Sequence, residues 1–238
     1  SKWQRELIVY ACNNVFDADV QKYKLRNGKY SNEFKTFLKT KVAKWIKDND
    51  EGIIFKPFKS YNTQKAIKII KKYAHMGVKY FVLDTYKADS KIESEAAWLN
   101  MQQNMVNLYD TVKPEGLNVH LWCTFQLGKQ SAKQRFYTQD NVGMAKNIID
   151  VASTCIMIRN LFEDEMPNGK RELKVFKLAG KNKKSKVPVQ LDPKKHYQIL
   201  FVVKNREGSS NEYQIVIEHD LSRNTYREVG RVVIPVDF

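Results

Sequence analysis

The stretch Tyr80-Phe81-Val82-Leu83-Asp84-Thr85 decides how this chain is read. Its apolar residues suit a buried strand, and the run ends on a carboxylate. A helical stretch follows, and then a second apolar run, Val119-His120-Leu121-Trp122-Cys123-Thr124-Phe125-Gln126-Leu127, reaches Gln126. Strand, helix and strand in that order predict a parallel pair, and the function of such a sheet belongs at the carboxyl ends of its strands. Asp84 and Gln126 both fall there. A carboxylate at that place can hold a Mg²⁺-bound water, and an amide can sense a terminal phosphate. No G-x-x-x-x-G-K-[ST] phosphate loop occurs upstream of Asp84.

Working outward, the first two-thirds alternates between strand and helix patterns. Leu7 to Cys12 suits a buried strand, and Ser31 to Asp48 places Phe34, Phe37, Leu38, Val42, Trp45 and Ile46 at helical spacing. Gly52 to Phe58 reads as a strand interrupted by Pro57. Asn62 to Met76 reads as a helix capped by Asn62 or Thr63 and stopped at Gly77. Ile92 to Val112 and Gln139 to Ala152 predict helices, with Leu117 to Phe125 and Thr154 to Leu161 as strands. The alternation predicts an α/β fold, a mostly parallel sheet with helices on both faces. From Glu172 the pattern turns to short strands joined by polar turns such as Gly208-Ser209-Ser210-Asn211 and Ser222-Arg223-Asn224. Two regions are expected: an α/β core over 1–165, and antiparallel strands over 166–238 that extend it. The second would carry a basic hairpin at about 172–192, tipped by Lys181 to Lys186.

Lys and Arg exceed Asp and Glu by 41 − 26 = 15 charges in 238 residues. That excess favours a polyanionic partner, nucleic acid ahead of an anionic membrane, although a merely solubilising basic surface would look the same. Cys12, Cys123 and Cys155 each lie in an apolar run, the pattern of buried free thiols, which fits a reducing, cytoplasmic compartment. The polar start is unlike a signal peptide, and no run approaches the ~20 apolar residues that span a bilayer. His75, His120, His196 and His219 show no metal-binding spacing.

The order of Tyr80–Asp84, Val119–Leu127, Asp140–Ile158 and Phe201-Val202-Val203-Lys204-Asn205-Arg206-Glu207-Gly208 resembles the RecA-like ATPase domain of DnaB-type replicative helicases, phage or bacterial. That family carries a Walker B strand ending in Asp, a strand ending in Ser-Gln-Leu and a late Lys-x-Arg-x-Gly motif. The resemblance implies ATP and Mg²⁺ as ligands, a hexameric ring around single-stranded DNA, and a helicase loader or primase as further partners. Asp84 would then help hold Mg²⁺, Gln126 would couple the terminal phosphate to DNA-facing loops, and Lys204 and Arg206 would reach into a neighbour's site as charge stabilisers. Residues two apart on a strand project to the same face, so both cations can address one phosphate. A charged, solvated sheet edge is the competing reading of Lys204 and Arg206.

Two departures from the family stand out. The phosphate loop is missing, so the chain reads as a piece of a larger polypeptide. Asn13 stands where the family has its catalytic Glu, and an amide cannot accept a proton at neutral pH. A catalytically degenerate nucleic-acid-binding or helicase-partner module is the alternative. For DNA contact, Lys129, Lys133 and Arg135 interleave with Phe136 and Tyr137, and Lys146 follows in the stretch matched to the family's second DNA loop. The same aromatics could instead turn into the core.

Overall fold

The computed structural model describes residues 2–28, 30–50, 52–89, 97–141, 146–180, 185–210 and 212–235. Helices α1 (Lys2–Tyr10), α2 (Lys22–Asn27), α3 (Asn32–Phe37) and α4 (Ala43–Asp50) come first, with π-helical turns at Ala11–Val15 and Leu38–Val42. Next come α5 (Thr63–His75), β1 (Tyr80–Leu83), α6 (Ala97–Val112), β2 (His120–Cys123), α7 (Lys146–Val151) and β3 (Thr154–Asn160). Five strands follow: β4 (Phe176–Ala179), β5 (Ser185–Pro188), β6 (His196–Asn205), β7 (Gln214–Asp220) and β8 (Thr225–Val232). Among the described residues no helix is long and apolar enough to cross a membrane.

The expected RecA-like, mostly parallel sheet flanked by helices is not formed. Strands β1 and β2 pair in parallel as a two-stranded sheet, and a separate sheet of six has the order β3-β6-β7-β8-β4-β5. In the larger sheet β4 runs antiparallel to β5 and to β8, and β6 runs antiparallel to β7. Strand β3 is antiparallel to β6 as well, since Leu161 N donates to Tyr197 O and Arg206 N donates to Ser153 O.

Three local causes account for the difference. The apolar run Leu7–Cys12 lies in α1 and the π turn after it, and a short apolar run does not separate strand from helix by period. The segment 52–58 forms no strand, and Ile53, Ile54 and Phe55 are exposed beside Pro57, which has no N–H for a ladder. Strand β3 alternates, with Cys155, Met157 and Arg159 buried and Ile156 and Ile158 exposed. That one-sided pattern belongs to antiparallel sheets, whereas an interior parallel strand is buried on both faces.

By compactness the chain divides into two units, one of Ser1–Pro57, Ile158–Leu200 and Ile215–Val233, the other of Phe58–Met157, Phe201–Gln214 and Ile234–Phe238. In the first unit the N-terminal helices bury Ala11, Cys12, Val20 and Val42 against Phe16, Phe34, Phe37 and Trp45. Asn13 ties this cluster to the β7–β8 turn. Its amide donates to Val20 O at 2.7 Å and Arg223 O at 2.8 Å, and accepts from Val20 N at 2.6 Å. Arg223 in turn binds Asp19 at 2.5 Å and Asp220 at 2.6 Å. The same unit buries an ion pair. Arg159 donates to both Glu165 oxygens at 2.7 and 2.8 Å, with side chains only 4% and 1% exposed. Glu165 also accepts from Phe162 N at 3.0 Å, and the guanidinium lies 4.8 Å from the Phe162 ring centroid.

In the second unit α5, α6 and α7 contribute Ile67, Ile70, Met105, Leu108 and Ile148 to a core that also takes Phe81, Leu83, Leu121 and Cys123 from β1 and β2. Helix α5 starts where expected: Asn62 accepts from Lys65 N at 2.9 Å, and Asp89 accepts from Thr63 N at 2.8 Å. It stops at Gly77, whose φ of +93° is a left-handed conformation that glycine adopts without strain. The three cysteines are free, and burial pushes the thiols of Cys12 and Cys155 up to about 11 and that of Cys123 to about 12.

Two predictions follow from the first unit. Glu165→Ala strands a buried guanidinium and should lower the unfolding free energy by about 3–5 kcal/mol in urea titrations, whereas Arg159→Met with Glu165→Leu should cost much less. Burial alone would raise the Asp220 carboxyl, but hydrogen bonds from Ser222 and Arg223 outweigh it and hold the group at about 2. A depressed carboxyl stabilises the fold above its unfolded value of about 4 and loses that contribution as pH falls toward 2. Melting temperature should therefore drop more steeply between about pH 4 and 2 in the unsubstituted chain than in Asp220→Asn.

Candidate functional site

The register Tyr80↔His120, Phe81↔Leu121, Val82↔Trp122, Leu83↔Cys123 fixes which side chains share a face. Phe81, Leu83, Leu121 and Cys123 pack into the core, so Tyr80, Val82, Asp84, His120, Trp122 and Thr124 point the other way. Pairing runs on past the strand ends, because Thr124 N donates to Leu83 O at 3.1 Å and Tyr86 N donates to Thr124 O at 2.7 Å. Asp84 and Gln126, singled out from sequence, are thus brought to adjoining carboxyl ends of neighbouring parallel strands, both exposed.

Thr124 is a member of the site that sequence reasoning missed. Its hydroxyl donates to Asp84 Oδ1 at 2.6 Å, and the Thr85 hydroxyl donates to the same atom at 3.2 Å. Its sequence signal was slight: a hydroxyl inside an apolar strand, two residues before Gln126. Among the described residues Asp84 Oδ2 and the Gln126 amide have no hydrogen-bond partner. One carboxylate oxygen with hydroxyls beside it is a hard-oxygen environment that suits Mg²⁺ held through water. No three His, Cys, Asp or Glu side chains converge among the described residues. A Mg²⁺ held by Asp84 would therefore draw its other ligands from water and a bound phosphate, as this ion commonly does.

Lys204 and Arg206 meet elsewhere. Lys204 Nζ donates to Ile149 O at 2.8 Å and Asp150 O at 2.7 Å, and Arg206 donates to Asp150 O at 2.7 Å. Both cations sit on the carboxyl end of α7, where terminal carbonyls and the helix dipole favour positive charge; Ile149 O also accepts from Ala152 N at 3.1 Å. Burial, and then the neighbouring Arg206, draw the Lys204 ammonium below its ordinary pKa. The Arg206 guanidinium also lies 5.8 Å from the Tyr109 ring centroid, in an open depression lined with Gln102, Val106, Tyr109, Asp150 and Val151.

Helix α6 measures how far apart the two pairs lie. Near its end, Val112 O accepts from Val119 N at the amino end of β2, so Tyr109 marks that end of the layer. Met101 O accepts from the Tyr86 hydroxyl and marks the end that carries Asp84. From Met101 to Tyr109 is about 12 Å of helix axis. Asp84 with Gln126 and Lys204 with Arg206 are two separate pairs within one chain.

The expected DNA-contact run is only partly available. Phe136 and Tyr137 turn inward, with ring centroids 5.6 and 5.2 Å from that of Phe201, and Tyr137 is buried. Arg135 is half-buried and Lys133 exposed. The side chains of Lys129 and Lys146 lie outside the described residues, as do residues 181–184 of the basic hairpin tip. Lys186, at the base of that tip, covers the Phe176 ring at 4.6 Å. Asn13 has its amide committed to Val20 and Arg223, and Asp19 is paired with Arg223.

A scan against protein-family models finds no match to this chain, and a search of curated proteins finds none either. The arrangement around α7 yields its own test. Lys204→Met removes two charge-assisted hydrogen bonds to a helix end and should cost about 2 kcal/mol of stability, with hydrogen exchange quickening in the α7 amides before the rest.

Proposed function

We propose that the chain is part of the ATP-hydrolysing motor of a ring-forming, DnaB-like replicative DNA helicase. The observation that carries the reading is the parallel β1–β2 register, beyond whose end Thr124, two residues before Gln126, donates to Asp84. In this reading Asp84 holds a Mg²⁺-bound water, Thr124 fixes its carboxylate, and Gln126 senses the terminal phosphate. Lys204 and Arg206, gathered at the carboxyl end of α7, are suited to serve the site of a neighbouring copy. To do so they exchange the α7 carbonyls for a phosphate, a stronger acceptor. The net charge of +15 supplies attraction for single-stranded DNA. The β1–β2 pair supports this reading without a RecA-like sheet, which the fold lacks.

A second reading, a module that binds nucleic acid or a helicase partner without hydrolysis, is favoured by Asn13. Its amide is consumed in structural bonds, and the 238 residues contain no phosphate-loop motif. ATP turnover with and without oligothymidine, measured for the chain alone and mixed with a helicase subunit that has a phosphate loop, separates the two. The motor reading expects DNA-stimulated turnover in the mixture that Asp84→Ala lowers about 10²-fold while oligonucleotide binding persists. Binding without turnover under every condition leaves the second reading.

A further inference from the structure

Between Glu51 and Asp84 the chain has no acidic residue and seven lysines. Four of them, Lys65, Lys68, Lys71 and Lys72, lie on α5 and are exposed. At 100° per residue these four and His75 fall within an arc of about 120°, opposite the face that buries Ala66, Ile67 and Ile70. An ordinary solvated helix face mixes both signs, whereas this one carries a single sign along its length. None of the four lysines forms an ion pair with a described residue. Lys65 and Lys72 instead lie over the rings of Phe58 and Tyr73, at 5.6 and 5.7 Å. Asp89 is spent capping Thr63 at the amino end of the helix. Among the described residues no ion pair offsets the repulsion among these lysines, and Lys65 adds positive charge to the end of the helix where the dipole disfavours it.

We infer that the exposed face of α5 is a docking surface for the phosphate backbone of single-stranded nucleic acid. The inference rests on the nucleic-acid-binding part of the proposed function and adds a contact surface distinct from the run Lys129–Arg135. Lys65 to Lys72 covers about 10 Å of helix axis, enough for roughly three successive phosphates along a flexible strand. The contact is electrostatic and does not read sequence, because the stripe presents ammonium groups as point charges and no paired donors and acceptors for base edges.

The test is the salt dependence of oligothymidine binding, read by fluorescence anisotropy between about 50 and 200 mM salt. Each phosphate neutralised on a single strand contributes about 0.7 to the slope of log K against log salt, so Lys68→Gln with Lys72→Gln should reduce that slope by about 1.4. Glutamine keeps the helix propensity of lysine, and an unchanged far-ultraviolet dichroism spectrum checks the fold. An unchanged slope in the folded variant overturns the inference while leaving the proposed function standing. So does loss of binding to phosphatidylserine vesicles without any change toward the oligonucleotide, which would make the stripe a membrane contact. Failure of the unsubstituted chain to bind oligonucleotide at low salt would remove both.

Discussion

The candidate site depends on the register of two four-residue strands. Because side chains alternate along a strand, a slip of one residue between β1 and β2 would turn Phe81 and Leu83 outward and carry Asp84 toward the core. What prevents the slip is burial: Phe81, Leu83, Leu121 and Cys123 all face the core built by α5, α6 and α7. Each large apolar side chain held there contributes on the order of 1.5–3 kcal/mol, far more than the Thr124–Asp84 hydrogen bond gains by itself. The polar geometry of the site is therefore a by-product of apolar packing on the opposite face. A pair of strands alone would be marginal in water, and the helices make it a fixed platform.

The cations at the end of α7 illustrate a competition between two acceptors for the same groups. In this chain Lys204 and Arg206 bind the last carbonyls of α7, Asp150 O taking both cations and Ile149 O also accepting from Ala152 N, a structural role. A phosphate offers more charge and better geometry to the same groups. Any functional use of these two residues is thus coupled to the stability of a helix end, and the coupling runs both ways.

How much could be read from the sequence varied with the range of the interactions involved. Strand–helix–strand order was enough to pair β1 and β2 in parallel, since that connection brings the carboxyl ends of both strands to one side. The limits of α5 were equally local, written in Asn62 and Gly77. Helical spacing over Ser31–Asp48 was likewise enough for α3, the π turn after it and α4, whereas α1 was not legible, because Leu7–Cys12 is too short to show a period and its fate is set by packing against Phe16, Phe34 and Trp45. Strand β3 alternated visibly, but its partner β6 begins 36 residues after it ends, beyond any local signal. Likewise nothing near Phe136 and Tyr137 reveals that Phe201 draws them inward, and nothing near Lys204 reveals the carbonyls of α7. The parallel sheet expected from the alternation failed for these reasons taken together: two of its strands are not strands, and a third joins an antiparallel neighbour.

The face of β1 and β2 that carries Asp84 also leaves Tyr80 73%, Val82 71% and Trp122 60% exposed. On a neutral protein so much bare apolar surface would drive molecules together. A charge of +15 opposes that attraction with a repulsion felt only across solvent. Adding salt shortens the reach of that repulsion to about 8 Å at physiological strength and leaves apolar attraction intact. The chain's colloidal behaviour is thus governed by two forces with opposite responses to the same variable, the salt concentration.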